Sequence, residues 1–335
     1  MTNDSNVPLA IDEGLFLDIA GQPQWVTIRG RDLGNPVLMI LTGAGAAFSP
    51  LAPVFSPWEA RFTLVQWDQP GAGATLAKTP DDPSPFTYAR LAADGCEVAA
   101  EVCARLGVAR LALFAISGGT IMAMHMVRRR PDLFSAYVGN GQVVNWRAQE
   151  ASSYRLMLAA ARAAGDASAV AEIEGLGPPP WADAMAEFAK SRYANAPTPA
   201  EEAAMAGPAW ALVREPPAGA SWRAPVAPHA EPMAAAFAAY QAIRAEMQAF
   251  DATALGLNWP IPMIFLQGAR DAHTTAPEVE AYAATITAPV VRYVPIAEGG
   301  HMSSFLVERL LALMEANLLP LARDANRLSA PPART

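Results

Sequence analysis

A short apolar run that ends in one serine and two glycines is the feature that most constrains the fold of this chain. Residues 111–116 are Leu-Ala-Leu-Phe-Ala-Ile, a run typical of a fully buried strand. Ser117, Gly118 and Gly119 follow, and residues 121–130 have the pattern of a helix. A strand, a sharp turn and a helix in this order place the serine hydroxyl at the end of a sheet strand.

The residues around Ser117 fit the nucleophile elbow, a turn usually written G-x-S-x-G. Ala115 stands at its first glycine and Gly119 at its last. Because the serine of an elbow has a strained backbone, the residues two positions before and after it must be small, and both are. The following helix points its N-terminal dipole at the serine oxygen. Ser117 is therefore a candidate nucleophile, although a serine that merely caps a helix gives the same local pattern.

Further apolar runs predict a mostly parallel sheet. Alternating residues at 14–19 and 24–29 predict a hairpin. Continuously apolar segments, which are typical of buried parallel strands, lie at 36–41, 62–67, 110–116, 134–139, 262–267 and 290–295. Helical segments separate most of these runs. We therefore predict an α/β fold, with helices on both faces of a mostly parallel sheet.

The pattern changes in the second third of the chain, where strand-like runs vanish and alanine, proline, methionine and tryptophan predominate. Thr198-Pro199-Ala200-Glu201 is a capping box with proline at the first helical position, which predicts a helix start. We interpret this region as a helical lid, or cap, inserted into the α/β domain. The predicted division is a core of residues 12–145 and 259–323, a lid of residues 146–258, and flexible tails at 1–11 and 324–335.

Charge and hydropathy exclude several classes of protein. A net charge of −8 with a pI of 5.1 argues against nucleic-acid binding. No apolar run is long enough to span a bilayer, and the first residues lack the basic and apolar parts of a signal peptide. We therefore expect a cytoplasmic protein without nucleic-acid or membrane partners. The oligomeric state does not follow from these features.

Cysteine and glycine spacings argue against a disulfide, a metal and a cofactor. Cys96 and Cys103 lie seven residues apart on a predicted helix, so their Cα atoms are about 10.5 Å apart, too far for a disulfide. Both are expected to be reduced core residues. No metal-ligand spacing is present, and the turn at Gly71-Ala72-Gly73 lacks a dinucleotide fingerprint.

Three polar residues follow predicted sheet strands in the chain order Ser117, Asp271, His301. The carboxyl ends of parallel strands share one edge of a sheet, so these side chains are expected to meet there. A serine hydroxyl becomes an effective nucleophile when an imidazole takes its proton and a carboxylate orients that imidazole. Taken singly, Asp271 would also fit a turn cap and His301 a helix cap.

A tetrahedral oxyanion formed at Ser117 needs backbone N–H donors. The residue after the nucleophile, Gly118, is the first candidate. The loop after the strand at 36–41 consists of small residues, and within it Ala44 is the candidate for the second donor, with Gly45 adjacent.

On these motifs the chain resembles the α/β-hydrolase superfamily and, within it, the proline iminopeptidase-like group. The segment from Leu41 to Ala46, LTGAGA, is similar to that group's L-H-G-G-P-G loop, and DQPGAG from Asp68 to its D-Q-R-G-x-G. The elbow, Gly268-Ala269-Arg270-Asp271 and Gly299-Gly300-His301 complete the resemblance, which covers residues 14–145 and 260–321. It implies catalytic roles for Ser117, Asp271 and His301, and oxyanion roles for Ala44 and Gly118.

The chain departs from that group at Thr42, Gly45, Pro70 and Gly118, where histidine, proline, arginine and tryptophan are expected. The acidic motifs that hold a free amino terminus are not recognisable in the lid, whose glutamates we interpret as a solvated helix face. The hypothesis is therefore a serine hydrolase of small esters or amides with esterase-like specificity. The alternatives are a proline iminopeptidase-like aminopeptidase acting on short peptides and, from another class, a non-catalytic ligand-binding protein.

Overall fold

The computed structural model describes residues 8–82, 84–181 and 184–323, and their strands form one eight-stranded sheet. The strands are β1 (Ile11–Ile19), β2 (Gln22–Gly30), β3 (Val37–Leu41), β4 (Thr63–Trp67), β5 (Leu111–Ile116), β6 (Phe134–Asn140), β7 (Met263–Gly268) and β8 (Val291–Ile296). Their order is β1-β2-β4-β3-β5-β6-β7-β8. The pairs β1–β2 and β2–β4 are antiparallel and the remaining pairs are parallel, so the predicted mostly parallel sheet is confirmed.

The helices connect these strands, and several of them lie in the region predicted as the lid, or cap. They are α1 (Ala52–Phe55), α2 (Gly73–Lys78), α3 (Tyr88–Leu106), α4 (Gly119–Arg129), α5 (Trp146–Ala163), α6 (Ala167–Leu176), α7 (Ala184–Ala194), α8 (Pro199–Met205), α9 (Ala209–Arg214), α10 (Pro232–Ala249), α11 (Ala276–Thr285) and α12 (Val307–Asn317). The two cysteines on α3 are buried and unpaired, and burial raises the pKa of each thiol to about 11.

Strand β5 shows why the central strands are continuously apolar. Successive side chains point to opposite faces of a sheet. Leu113 packs in the core formed with α3, α4 and α11, whereas its neighbour Phe114 packs in the core formed with α12. Because helices cover both faces, every position of β5 is buried, and no polar alternation remains.

Six helices, α5 to α10, lie between β6 and β7 in the region predicted as the lid. The predicted capping box is present, because the Thr198 hydroxyl accepts from the N–H of Glu201 while the Glu201 carboxylate accepts from the N–H of Thr198. Helices α5, α6 and α7 share a small apolar cluster that includes Met157 and Ile173. Division of the chain into a core and a lid remains our proposal for its domain organisation.

The predicted tails fall mostly outside the described residues, which exclude 1–7 and 324–335. At the inner end of the first tail, the N–H of Ala10 donates to the carbonyl oxygen of Gly30, and Ile11 already belongs to β1. Within the described ranges, no helix combines the length and the apolarity needed to cross a membrane.

Replacing Phe114 should destabilise the protein strongly. Its ring is fully buried and packs edge-to-face on Trp58 with centroids 5.1 Å apart. Phe114→Ala removes these contacts and leaves a cavity, so we expect a loss of about 3–5 kcal/mol in the free energy of unfolding, measured by urea denaturation. Leu33→Ala, at a position 57% exposed, is the control and should change it by less than about 0.5 kcal/mol. Similar losses for both variants would contradict this account of the core.

Candidate active site

Ser117 lies at the carboxyl end of β5 in a left-handed backbone conformation, with φ of +53°. Among the described non-glycine residues, only Ala20, in the turn of the β1–β2 hairpin, shares this conformation. Such a backbone is costly for a residue with a side chain and persists where the surroundings enforce it. The structure therefore gives Ser117 the strained turn that the sequence pattern predicted.

Contacts on both sides of Ser117 hold this turn. The N–H of Ser117 donates to the carbonyl oxygen of Asn140 at 2.9 Å, and its own carbonyl accepts from the N–H of Thr120 at 2.8 Å. A Cβ on Gly119 would lie 2.6 Å from the carbonyl oxygen of Thr42, so only glycine fits there. Helix α4 thereby begins directly behind the serine.

The structure brings the three predicted residues Ser117, His301 and Asp271 into one chain of contacts. Ser117 Oγ lies 3.0 Å from His301 Nε2, and His301 Nδ1 lies 3.0 Å from Asp271 Oδ2. His301 and Asp271 are 8% and 2% exposed, whereas Ser117 is only partly buried. The imidazole is thus placed to accept the serine proton on one side and to donate to the carboxylate on the other.

The carboxylate of Asp271 has a partner at each lone-pair direction. Oδ1 accepts from the backbone N–H groups of His273 (2.8 Å) and Thr274 (2.9 Å). Oδ2 accepts from the Thr274 hydroxyl (2.7 Å) and the Gln267 amide (3.0 Å). Burial by itself would raise the pKa of Asp271, but the charge and hydrogen bond of His301 and these other donors hold it below its usual value. Asp271 is therefore ionised and fixed in orientation.

The structure distinguishes between the three candidate donors to the oxyanion. Ala44 and Gly118 line the same cavity as Ser117. Gly45 is buried outside that cavity, and its N–H donates to the side-chain oxygen of Gln69 at 3.2 Å. Since that N–H is already used, the expectation that Gly45 assists the oxyanion does not fit the structure, and Ala44 and Gly118 remain the candidate donors.

Asp68 and Gln69 explain why the DQPGAG segment accompanies the oxyanion loop. Asp68 is buried and accepts from the N–H groups of Phe48 (3.1 Å) and Ser49 (3.0 Å), while the Gln69 amide donates to the carbonyl oxygen of Thr42 at 3.0 Å. These bonds attach the loop after β3 to the end of β4. The segment therefore acts by holding the loop that carries Ala44.

A cavity of about 180 Å³ lies between Ser117 and the cap. The lining residues outside the cap are Gly43, Ala44, Tyr88, Ser117, Gly118 and His273, and those of the cap are Trp146, Glu150, Glu187, Phe188, Lys190, Ser191, Tyr240, Ile243 and Met247. Three aromatic side chains of the cap, Trp146, Phe188 and Tyr240, line this cavity. The walls of the cavity therefore include both apolar side chains and a cluster of charged side chains.

For Glu150 and Glu187, that charged cluster corrects the interpretation of the cap glutamates as a solvated face, whereas Glu172, Glu174, Glu202, Glu231 and Glu246 are exposed. Glu150 and Glu187 are each 5% exposed and face the cavity. Lys190, 1% exposed, donates to Glu150 Oε1 at 2.6 Å. Arg244 donates to both oxygens of Glu187 at 2.9 Å. Each of these two carboxylates therefore forms an ion pair with a cationic side chain of the cap.

Sequence reasoning missed this cluster because it depends on tertiary packing. Glu187 and Lys190 are three residues apart on α7, a spacing that puts them on one helix face. This spacing is the signal in the sequence that could indicate a charged pair, but a pair that faces solvent has the same spacing. The partners Glu150 and Arg244 come from other cap helices, α5 and α10.

His273 is a second buried imidazole, and it lies beside His301. Its ring lies against that of His301, with centroids 4.5 Å apart and an angle of 33° between the planes. Burial, followed by the charges of Lys190 and His301, lowers the pKa of His273 well below its usual value. His273 is therefore neutral in the folded protein and does not add a charge next to His301.

A cap residue also contacts the loop that carries His301. The carboxylate of Glu201, which is fully buried, accepts from the N–H of Gly300 at 2.6 Å. The Thr198 hydroxyl donates to the carbonyl oxygen of Glu298 at 2.8 Å. The start of α8 is therefore bonded to the residues directly before His301.

No group of three or more histidine, cysteine, aspartate or glutamate side chains arranged to hold a metal ion occurs in the described ranges.

Comparison with known proteins identifies the fold of the chain. No protein-family model matches the chain. A curated relative, the probable aminopeptidase YbaC of Bacillus subtilis, is 33% identical over 141 residues, which are 42% of this chain and 44% of YbaC. The match thus spans less than half of that relative.

Two solved structures extend the likeness along the chain. The proline iminopeptidase-related protein TTHA1809 of Thermus thermophilus aligns with 93% of this chain and 99% of its own, at a TM-score of 0.60 and 23% identity. A thermophilic esterase of Thermogutta terrifontis aligns with 93% and 100%, at a TM-score of 0.55 and 16% identity. Together with the strand order, these likenesses show that the chain has the α/β-hydrolase fold.

Buried His273 should make stability depend on pH. Below its usual pKa of about 6.5, His273 takes up a proton in the unfolded chain but not in the folded protein, so acid favours unfolding. We expect the free energy of unfolding to fall from pH 7 to pH 5, with His273 contributing up to about 1.4 kcal/mol per pH unit. His273→Phe should reduce this slope in urea titrations at several pH values. An unchanged slope would show that His273 is protonated in the folded state.

Proposed function

We propose that this protein is a serine hydrolase that cleaves small esters or amides through an acyl-enzyme. The observation that carries the proposal is the pair of 3.0 Å contacts, from Ser117 Oγ to His301 Nε2 and from His301 Nδ1 to Asp271 Oδ2, at the wall of a cavity. A protein that only binds a ligand has no need of an aligned base behind a strained serine, which argues against the non-catalytic alternative.

In the first half of the reaction, Ser117 Oγ attacks the carbonyl carbon of the substrate while His301 Nε2 takes the hydroxyl proton. The backbone N–H groups of Ala44 and Gly118 donate to the oxyanion. The tetrahedral intermediate then collapses, the bond to the alcohol or amine breaks, and His301 gives its proton to that leaving group.

In the second half, water attacks the carbonyl carbon of the ester formed with Ser117. His301 Nε2 takes a proton from the water, and a second tetrahedral intermediate forms at the same backbone donors. Ser117 Oγ leaves as a hydroxyl after regaining the proton from His301. One water is consumed, and the acid and the alcohol or amine are released. Asp271 stabilises the imidazolium in both halves.

The charges of the cavity support esterase-like specificity. An aminopeptidase needs a buried carboxylate to pair with the substrate's ammonium, because an unpaired buried charge is costly. Both cavity glutamates already have cationic partners, Glu150 with Lys190 and Glu187 with Arg244. The charges of these four side chains sum to zero, so a substrate ammonium would add an unbalanced positive charge to the cavity.

An aminopeptidase related to the proline iminopeptidase-like group is the second candidate. It is favoured by the position of Glu150 and Glu187 in the cavity beside Ser117 and by the likeness of the chain to a probable aminopeptidase. For this activity the substrate ammonium would have to displace or share one of the cap cations.

A fluorophosphonate probe tests the nucleophile. It should label the wild-type protein and fail to label Ser117→Ala, since it reacts with an activated serine hydroxyl. Ser191→Ala is the matched control, because Ser191 also lines the cavity but its hydroxyl donates to the carbonyl oxygen of Glu187. Labelling should persist in that control. Labelling of Ser117→Ala would place the nucleophile at another residue.

A substrate panel separates the two specificities. With one preparation, p-nitrophenyl esters of short acids should have higher kcat/KM than prolyl or alanyl p-nitroanilides, and N-acetylation of an anilide should change its hydrolysis little. A strong preference for free-amine anilides that acetylation abolishes would favour the aminopeptidase. Circular dichroism of the same preparation controls for folding.

A further inference from the structure

Two residues that line the cavity in front of Ser117, Glu150 and Lys190, have buried polar atoms with unused hydrogen-bonding capacity. Glu150 Oε2 has no hydrogen-bond partner in the described part of the chain, although the residue is 95% buried (5% exposed). Lys190 Nζ has three N–H donors, and Glu150 Oε1 is the one acceptor found for them among the described residues. Leaving such atoms unpaired is costly, so they indicate where a ligand makes hydrogen bonds.

The charge of the cluster restricts what that ligand group can be. The negative charges of Glu150 and Glu187 are balanced by Lys190 and Arg244. A ligand ammonium or carboxylate would leave one buried charge uncompensated. A neutral hydroxyl adds no charge, and it can donate one hydrogen bond while accepting another.

Glu150 and Lys190 are close enough to each other for one hydroxyl to contact both. Their joined atoms are 2.6 Å apart, and both side chains belong to the wall of the same cavity. The hydroxyl would donate to Glu150 Oε2 and accept from Lys190 Nζ. Water in the cavity can make the same bonds, so an apolar substrate group that displaces it would forfeit them.

The size of the cavity limits the rest of the group. A volume of about 180 Å³ corresponds to roughly six water-sized groups at about 30 Å³ each. Trp146, Ile243 and Met247 offer apolar walls for a short carbon chain. Because the acyl group stays bound to Ser117 through both halves of the reaction, the cavity that adjoins Ser117 is the place for that group.

We propose that this cavity is a subsite for a short acyl group that carries one hydroxyl, recognised jointly by Glu150 and Lys190. The inference rests on the proposed function and specifies its substrate class as short hydroxyacyl esters or amides. Lys190 then acts as a specificity-determining residue that both neutralises Glu150 and donates to the substrate.

The test compares p-nitrophenyl esters that differ in one group: butyrate, 2-hydroxybutyrate, 3-hydroxybutyrate, 3-aminobutyrate and hemisuccinate. In the wild-type protein the better hydroxybutyrate should exceed butyrate in kcat/KM by about ten- to a hundredfold, the range expected for hydrogen bonds to charged groups. The amino and carboxylate esters should fall below butyrate.

A double variant, Glu150→Leu with Lys190→Met, replaces the buried ion pair by apolar side chains of similar size, a change that proteins often tolerate. It should reverse the preference, so that butyrate becomes the better substrate. The matched control is Arg162→Met with Glu174→Gln, which removes an exposed ion pair of the same cap and should keep the wild-type preference. Thermal unfolding of both variants checks their folding.

A binding measurement separates failure of this inference from failure of the proposed function. In Ser117→Ala, calorimetry should show tighter binding of the amide of the better hydroxybutyrate than of butyramide, and the Glu150→Leu, Lys190→Met changes should abolish the difference. Absence of ester turnover and probe labelling would overturn the proposed function, whereas this binding difference would still support the subsite. Equal binding of the two amides, wild-type preference for butyrate or 3-aminobutyrate, or a hydroxyl preference that survives the double variant would overturn the subsite.

Discussion

The left-handed backbone of Ser117 is the constraint on which the site depends. A conformation of this kind costs about 1–3 kcal/mol and needs surroundings that impose it. The surroundings are the central strand β5, the hydrogen bond to Asn140 at the end of β6, and the contact of Gly119 with the backbone of Thr42. The sheet core thus supplies the stability that keeps a strained serine hydroxyl facing the cavity.

The cap places charged side chains over Ser117, although apolar side chains alone would suffice to bury the site. Buried ion pairs are weak evidence for stability, since desolvation offsets much of their attraction. The pair of Lys190 with Glu150, and that of Arg244 with Glu187, therefore support the proposal that the cap recognises a substrate. Glu201 adds a structural link, because its carboxylate accepts from the backbone N–H of Gly300, next to the imidazole of His301. Cap and triad are consequently parts of one site.

The fold and the candidate triad could be predicted because their signals are local. Strands buried on both faces become continuous apolar runs, as in β5, and the elbow needs small residues at fixed positions around Ser117. Asp271 and His301 were identified by their place after strands. Their chain order matched that of a triad, and the structure brings their side chains together with Ser117.

The lining of the cavity could not be predicted because it depends on contacts between distant segments. Glu150 lies 40 residues from Lys190, and nothing in the pattern of α5 distinguishes a buried glutamate from a solvated one. The sequence suggests Gly45 because it adjoins Ala44, but its N–H donates to the side-chain oxygen of Gln69, which lies 24 residues further along the chain. Both features follow from packing between helices and loops rather than from a periodic pattern.

The central claim is that Ser117 becomes acylated, and trapping the acyl-enzyme tests it most directly. The protein would be mixed with p-nitrophenyl butyrate, quenched in acid within milliseconds to seconds, and digested for peptide mass spectrometry. The account predicts one butyryl group, located on Ser117, that appears at the rate of the p-nitrophenol burst and decays with turnover. Turnover without any covalent adduct, or an adduct on another residue that forms and decays at the catalytic rate, would contradict it.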